Sequence, residues 1–98
     1  MNSAICTAIR ERRLVHLTYH WGHRIVEPHA YGRNDNGHDL LRVFQVSGAS
    51  ESGEPHGWKL LRMDEVNGLN VLEENFPGPR YGYARDDKAL DERIYCQL

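Results

Sequence analysis

The side chains best suited to chemistry in this chain are cationic and aromatic. Arg24, Arg42, Lys59 and Arg62 fall on segments that read as neighbouring strands, with Trp58 and Tyr31 beside them. Guanidinium forks pair with planar oxyanions such as carboxylate and phosphate, and an adjacent aromatic ring offers a face on which a base can stack. These six residues form the candidate ligand-binding set. The chemistry they suggest is capture of an anion, with a nucleotide-like molecule or single-stranded nucleic acid as the ligand class. The alternative is an ordinary solvated strand surface balanced by Glu27, Asp64 and Glu65.

No other grouping reaches reaction chemistry. His16, His20, His23 and His29 cluster in sequence, and even spacing puts His16 and His20 on one strand face, but no zinc-binding spacing is met and no metal is assigned. Cys6 reads as part of the apolar side of a helix and Cys96 as part of the tail. Neither has a base placed beside it, so no catalytic residue and no cofactor are assigned and the chain is not read as an enzyme. The glycine- and serine-rich run Ser47–Gly57 precedes a strand rather than a helix, so it reads as a connector and not a phosphate loop.

Composition bounds the rest. A chain of 98 residues suits one domain with a modest core. Its 12 basic and 14 acidic residues create no global positive field, so any nucleic-acid surface must be a local patch. Two cysteines make no disulfide framework, and the first residues lack a secretion-signal pattern, so a cytoplasmic protein with both thiols reduced is the expectation. No apolar run approaches the roughly 20 residues of a membrane span, and no membrane partner is expected.

The elements that must position the candidate set can be read in order. Ser3 can cap a helix over residues 3–12, whose Ile5, Ala8 and Ile9 line one face. Val15, Leu17, Tyr19 and Trp21 then alternate with polar residues as the core face of a strand. Gly22 permits a turn into His23–Arg33, where Pro28 signals an edge or a bulge. Asn34-Asp35-Asn36-Gly37 is a turn, and Leu40–Val46, apolar on both faces, suits a central strand. A fourth strand runs from Trp58 to Val66, Asn67-Gly68 reads as a two-residue hairpin turn, and LNVLEE reads as a fifth strand. Beyond Phe76 the composition is irregular; Asp86 or Asp87 can cap a short helix through KALDER, and Ile94-Tyr95-Cys96 can add a small strand. Sequentially paired short strands at this length favour a closed or nearly closed five-stranded antiparallel barrel over 14–73, followed by a tail over 74–98.

The segments AIRERRLVHLTY, RIVEPHAYG, GHDLLRVFQV and GWKLLRMDEVNGLNVL followed by Phe76, over residues 4–76, together resemble the WYL domain family of mostly bacterial regulators. The resemblance implies a single domain over 1–98, mainly β, with an N-terminal helix and a small Sm-like or SH3-like β-barrel. It also implies a non-catalytic, ligand-sensing or nucleic-acid-binding regulatory module with an anion-binding surface. Departures exist: Leu40-Leu41-Arg42 stands where the family has its name-giving triplet, Lys59 stands for an arginine, and Glu65 falls where a second arginine is usual. The family's DNA-binding helix domain is not in this sequence, which suggests a stand-alone version. A second expectation follows, that the domain is a protein-interaction or assembly module acting through a partner chain or as a homo-oligomer, by its barrel edge or the tyrosines Tyr81, Tyr83 and Tyr95.

Overall fold

A computed structural model describes all 98 residues. Helix α1 (Ser3–Glu11) leads into strands β1 (Arg13–Tyr19), β2 (Gly22–Arg33), β3 (Asp39–Gly48) and β4 (Gly57–Arg62). A 3₁₀ turn (Met63–Glu65) joins β4 to β5 (Val66–Asn75), and β6 (Arg93–Gln97) closes the chain. The strands form one antiparallel sheet in the order β4-β3-β2-β1-β5, with β6 added to the second half of β2. It is mainly β with one helix, and β4 and β5 are unpaired edges, so the sheet is not closed.

The helix begins at Ser3 as expected, but it is capped one residue earlier. Asn2, not Ser3, is its cap: the Asn2 side chain accepts from the N–H groups of Ala4 and Ile5, at 3.0 and 3.4 Å. Arg12 ends it in the left-handed conformation. Ile5, Ala8 and Ile9 pack on Val15, Leu17, Val26, Tyr31, Leu41, Val43 and Leu61. The alternation read for β1 holds for Val15, Leu17 and Tyr19 and then fails. Trp21 is fully exposed because the chain turns at His20-Trp21, both with positive φ, before Tyr19 pairs with Gly22. That turn also takes His20 off the strand face it was expected to share with His16, which stacks instead on His23, ring centroids 5.1 Å apart.

Two further corrections concern topology. Asn67-Gly68 is not a hairpin turn. The chain leaves β4 through the 3₁₀ turn and crosses to pair with β1, and Gly68 (φ 77°) lies at a register shift where Leu17 opposes Leu69 but Thr18 opposes Asn67. The Asn-Gly pair therefore builds a bulge, which needs the same positive φ as a hairpin turn. The strands are consequently not all paired in sequence order. Pro28 likewise marks a bulge: Pro28 pairs with Val43 and Ala30 with Arg42, leaving His29 as the extra residue in what is a central strand, not an edge.

The tail holds β6 but no helix. Asp87 accepts from the N–H of Ala89 at 3.0 Å and its carbonyl accepts from Leu90, so KALDER starts a turn that goes no further. The tail packs on the outer face of β2–β4 around His29, whose ring contacts Trp58, Phe76 and Tyr83 at centroid distances of 4.7, 5.6 and 5.0 Å. Arg80 holds the buried Glu27 carboxylate at 2.8 and 3.0 Å while its guanidinium lies over Phe44. The expectation of two reduced thiols is overturned: Cys6 and Cys96 form a disulfide, because helix packing brings α1 against β6. No helix is long and apolar enough to cross a membrane.

Candidate functional site

The candidate residues separate into groups with different surroundings. Arg24 stands opposite Leu17 on β1, and Val26 opposite Val15, so both project to the core side of the sheet. Gln45 opposes Val26 and Lys59 opposes the buried Val43. The inner face thus ends, past the last core residues, in the polar trio Arg24, Gln45 and Lys59. Beside them an open cavity of about 450 Å³ is lined by Tyr19, His20, the loop residues Ser50, Glu51, Ser52 and Glu54, and the run from Trp58 to Leu61.

Arg24 is the unusual member. It is 4% exposed, its guanidinium lies 5.0 Å from the Tyr19 ring centre, and its Nη1 donates to Gln45 Oε1 at 3.4 Å. Gln45 is fixed in turn by its Nε2–H donating to Ala49 O at 2.8 Å. Arg24 Nε is buried and has no partner, and no carboxylate reaches the side chain. A buried cation without a counter-charge is costly, by several kcal/mol on general grounds. Lys59 is the second cation without a carboxylate; its Nζ donates to Ser50 and Ser52 hydroxyls, each at 3.1 Å.

The other two cations are neutralised. Arg42 grips Asp87 through Nε and Nη2 at 2.6 and 3.4 Å, and Arg62 grips Asp64 through the same edge at 3.1 and 2.6 Å. Burial opposes ionisation of Asp87, but the donations from Arg42 and the Ala89 N–H outweigh it and hold the carboxyl below its usual range. The Arg62 fork does the same for Asp64. Arg80 uses this edge on Glu27 as well. Three arginines therefore fill the Nε/Nη2 edge with a carboxylate, while the most buried one leaves it empty.

The aromatic candidates also divide. Tyr31 is 2% exposed on the core side under α1, where its hydroxyl accepts from Asn2 N at 2.8 Å and its ring meets Tyr95. It does not line the cavity. Trp58 Nε1 donates to Tyr81 O at 3.3 Å and the ring sits against His29, Phe44 and Tyr83, so it anchors the tail. It borders both the Arg24 cavity and a second hollow of about 410 Å³ formed with Arg42 and Gly82–Lys88.

Two residues outside the candidate set shape the site. His20 stacks on Tyr19 at 4.1 Å and its two nitrogens meet Glu51 and Glu65, tying the β1–β2 turn to the loop over the cavity. The hydrogen bond with Glu51, then that with Glu65, raises its pKa above 6.5. In the sequence Arg42 and Gln45 are the polar interruptions of the apolar third strand, aimed at a site or a rim; Gln45 lies beside Arg24, whereas Arg42 faces Asp87. No group of three or more His, Cys, Asp or Glu side chains converges to hold a metal ion. No protein-family model matches this chain, and no curated protein or solved structure matches it significantly.

Proposed function

We propose that this protein is a non-catalytic ligand-sensing module that binds an oxyanion at Arg24 and Lys59. The observation that carries the reading is Arg24 itself, a buried guanidinium with an unpartnered Nε and no counter-charge, on the lining of an open cavity that also holds Lys59 and the hydroxyls of Ser50 and Ser52. An oxyanion placed there offsets the cost of burying Arg24, and that difference between the free and bound states is what a sensor uses. Arg42 and Arg62, each already holding a carboxylate, belong to the architecture and not to the site.

The Sm-like or SH3-like reading and the WYL resemblance remain part of this proposal. The barrel-like reading is supported by the strand order and by the short connection between β4 and β5: two opposite edges joined through a three-residue turn curl toward each other, as in an open barrel; the family resemblance rests on the sequence segments alone. Isothermal titration with acetate and inorganic phosphate at low and moderate salt tests the function. Binding is expected to be lost in Arg24→Gln and weakened in Lys59→Met, but kept in Arg62→Ala. Equal binding by wild type and Arg24→Gln overturns the assignment.

A further inference from the structure

We infer that the free edge of β4 receives the C-terminal segment of a partner protein as an added antiparallel strand, with its terminal carboxylate on Arg24 and Lys59. The inference rests on the anion-binding reading above and gives the anion a source.

The cavity lining is the first observation. Trp58, Lys59, Leu60 and Leu61 all border it, although successive side chains of a strand point to opposite faces. A cavity bordered by four consecutive strand residues runs along the strand's edge, where backbone groups are presented. β4 pairs only with β3, so this edge has no strand partner. At its far end the Arg62 N–H turns away from β3 and donates to the Tyr19 hydroxyl at 3.2 Å. Alternation in an antiparallel ladder then turns the N–H and C=O of Leu60 and Trp58 the same way, a short template for strand addition.

Charge fixes the direction and the end. Every strand pair in this sheet is antiparallel, and an antiparallel addition to β4 starts near Arg62 and finishes near Trp58. Its C-terminus arrives at Lys59 and Arg24. A parallel addition would put the carboxylate beside Asp64 and Glu65, where like charge repels it. Glu51 and Glu54, also on the lining, disfavour a chain with a negative charge on every unit, so a peptide with one terminal carboxylate suits the cleft better than a nucleic-acid strand. A cavity of about 450 Å³ is within the usual range for ligand clefts.

The test uses the whole chain and an N-acetylated Thr-Val-Thr-Val peptide, read by amide shifts of Trp58 and Leu60 in nitrogen–proton correlation spectra. The free acid is expected to bind roughly tenfold tighter than its C-terminal amide, the ratio a lost charge-assisted pair implies. N-methylation of alternate peptide amides is expected to abolish binding to the unaltered protein, a result independent of whether Arg24→Gln folds. Equal affinity of acid and amide, indifference to N-methylation, or stronger binding of oligothymidylate overturns the inference. If acetate and phosphate still bind at Arg24 in that case, the anion-binding reading stands without it; if nothing binds, both fall.

Discussion

Arg24 sits where a methionine would pack more cheaply. Its guanidinium is buried on the Tyr19 ring with one hydrogen bond to Gln45, and nothing in the fold neutralises it. A buried cation without a counter-charge costs several kcal/mol of desolvation, more than the single hydrogen bond to Gln45 returns. Arg24→Met is therefore expected to raise the urea midpoint while removing anion binding. A large loss of stability would instead make Arg24 a structural residue. His29 gives a second prediction at this scale. Burial lowers its pKa below 6.5, and its ring is held neutral, Nδ1–H donating to Glu27 O at 2.8 Å and Nε2 accepting from Arg80 N–H at 3.1 Å. The unfolded chain then binds a proton more readily than the folded one. The contribution is complete above pH 6.5 and declines as pH falls toward the folded pKa. His20 has the opposite sign: its pKa is raised, so its contribution is present below 6.5 and is lost as pH rises through the folded value. Relative to the native protein, His29→Gln is expected to lose less of its urea midpoint, or to gain more, as pH is lowered from 8 to 5.

At the scale of elements, the sequence was most readable where a periodicity met a core. Ile5, Ala8 and Ile9 on α1 and Val15, Leu17 and Tyr19 on β1 are buried as their spacing requires. Where a residue has two uses, the local pattern did not choose between them. Asn67-Gly68 can make a turn or a bulge with the same backbone, and the deciding factor lies outside the pair: the chain has already turned at Met63–Glu65, and β5 pairs with β1 instead of returning along β4. Trp21 alternates correctly with Tyr19 yet lies in the turn, because Gly22 starts the next strand instead of forming the turn itself. Gly68→Ala forces a side chain into a positive φ and is expected to cost about 1–3 kcal/mol, read from urea unfolding. Asn2→Ala removes two acceptor contacts at the start of α1 and is expected to cost about 1 kcal/mol by the same measurement. An unchanged midpoint in either variant would contradict the geometry assigned to it.

Over the whole molecule, the candidate set was legible as residue types but not as a site. Four cations on adjacent strands suggest one patch; Asp64 is among the acids the sequence offers to balance it and does neutralise Arg62, but Arg42 is neutralised by Asp87 in the tail, a partner that no strand pattern pairs in advance. The disulfide was equally hidden, since Cys6 and Cys96 meet only once α1 has packed across the sheet next to β6, 90 positions away in sequence. Joining residues so far apart is expected to stabilise the fold by about 4.6 kcal/mol in the chain-entropy account. Intact mass before and after reduction should differ by two hydrogens, and reduction should lower the thermal midpoint; no mass difference would contradict the bridge. The most direct test of the anion-binding account is the Arg24 Nε–H resonance itself, followed by nitrogen–proton NMR as acetate is added at low salt. A saturable downfield shift of that one signal, shared by Lys59 but not by Arg42, Arg62 or Arg80, is the predicted result. An Arg24 Nε–H that stays unmoved through the titration would contradict it.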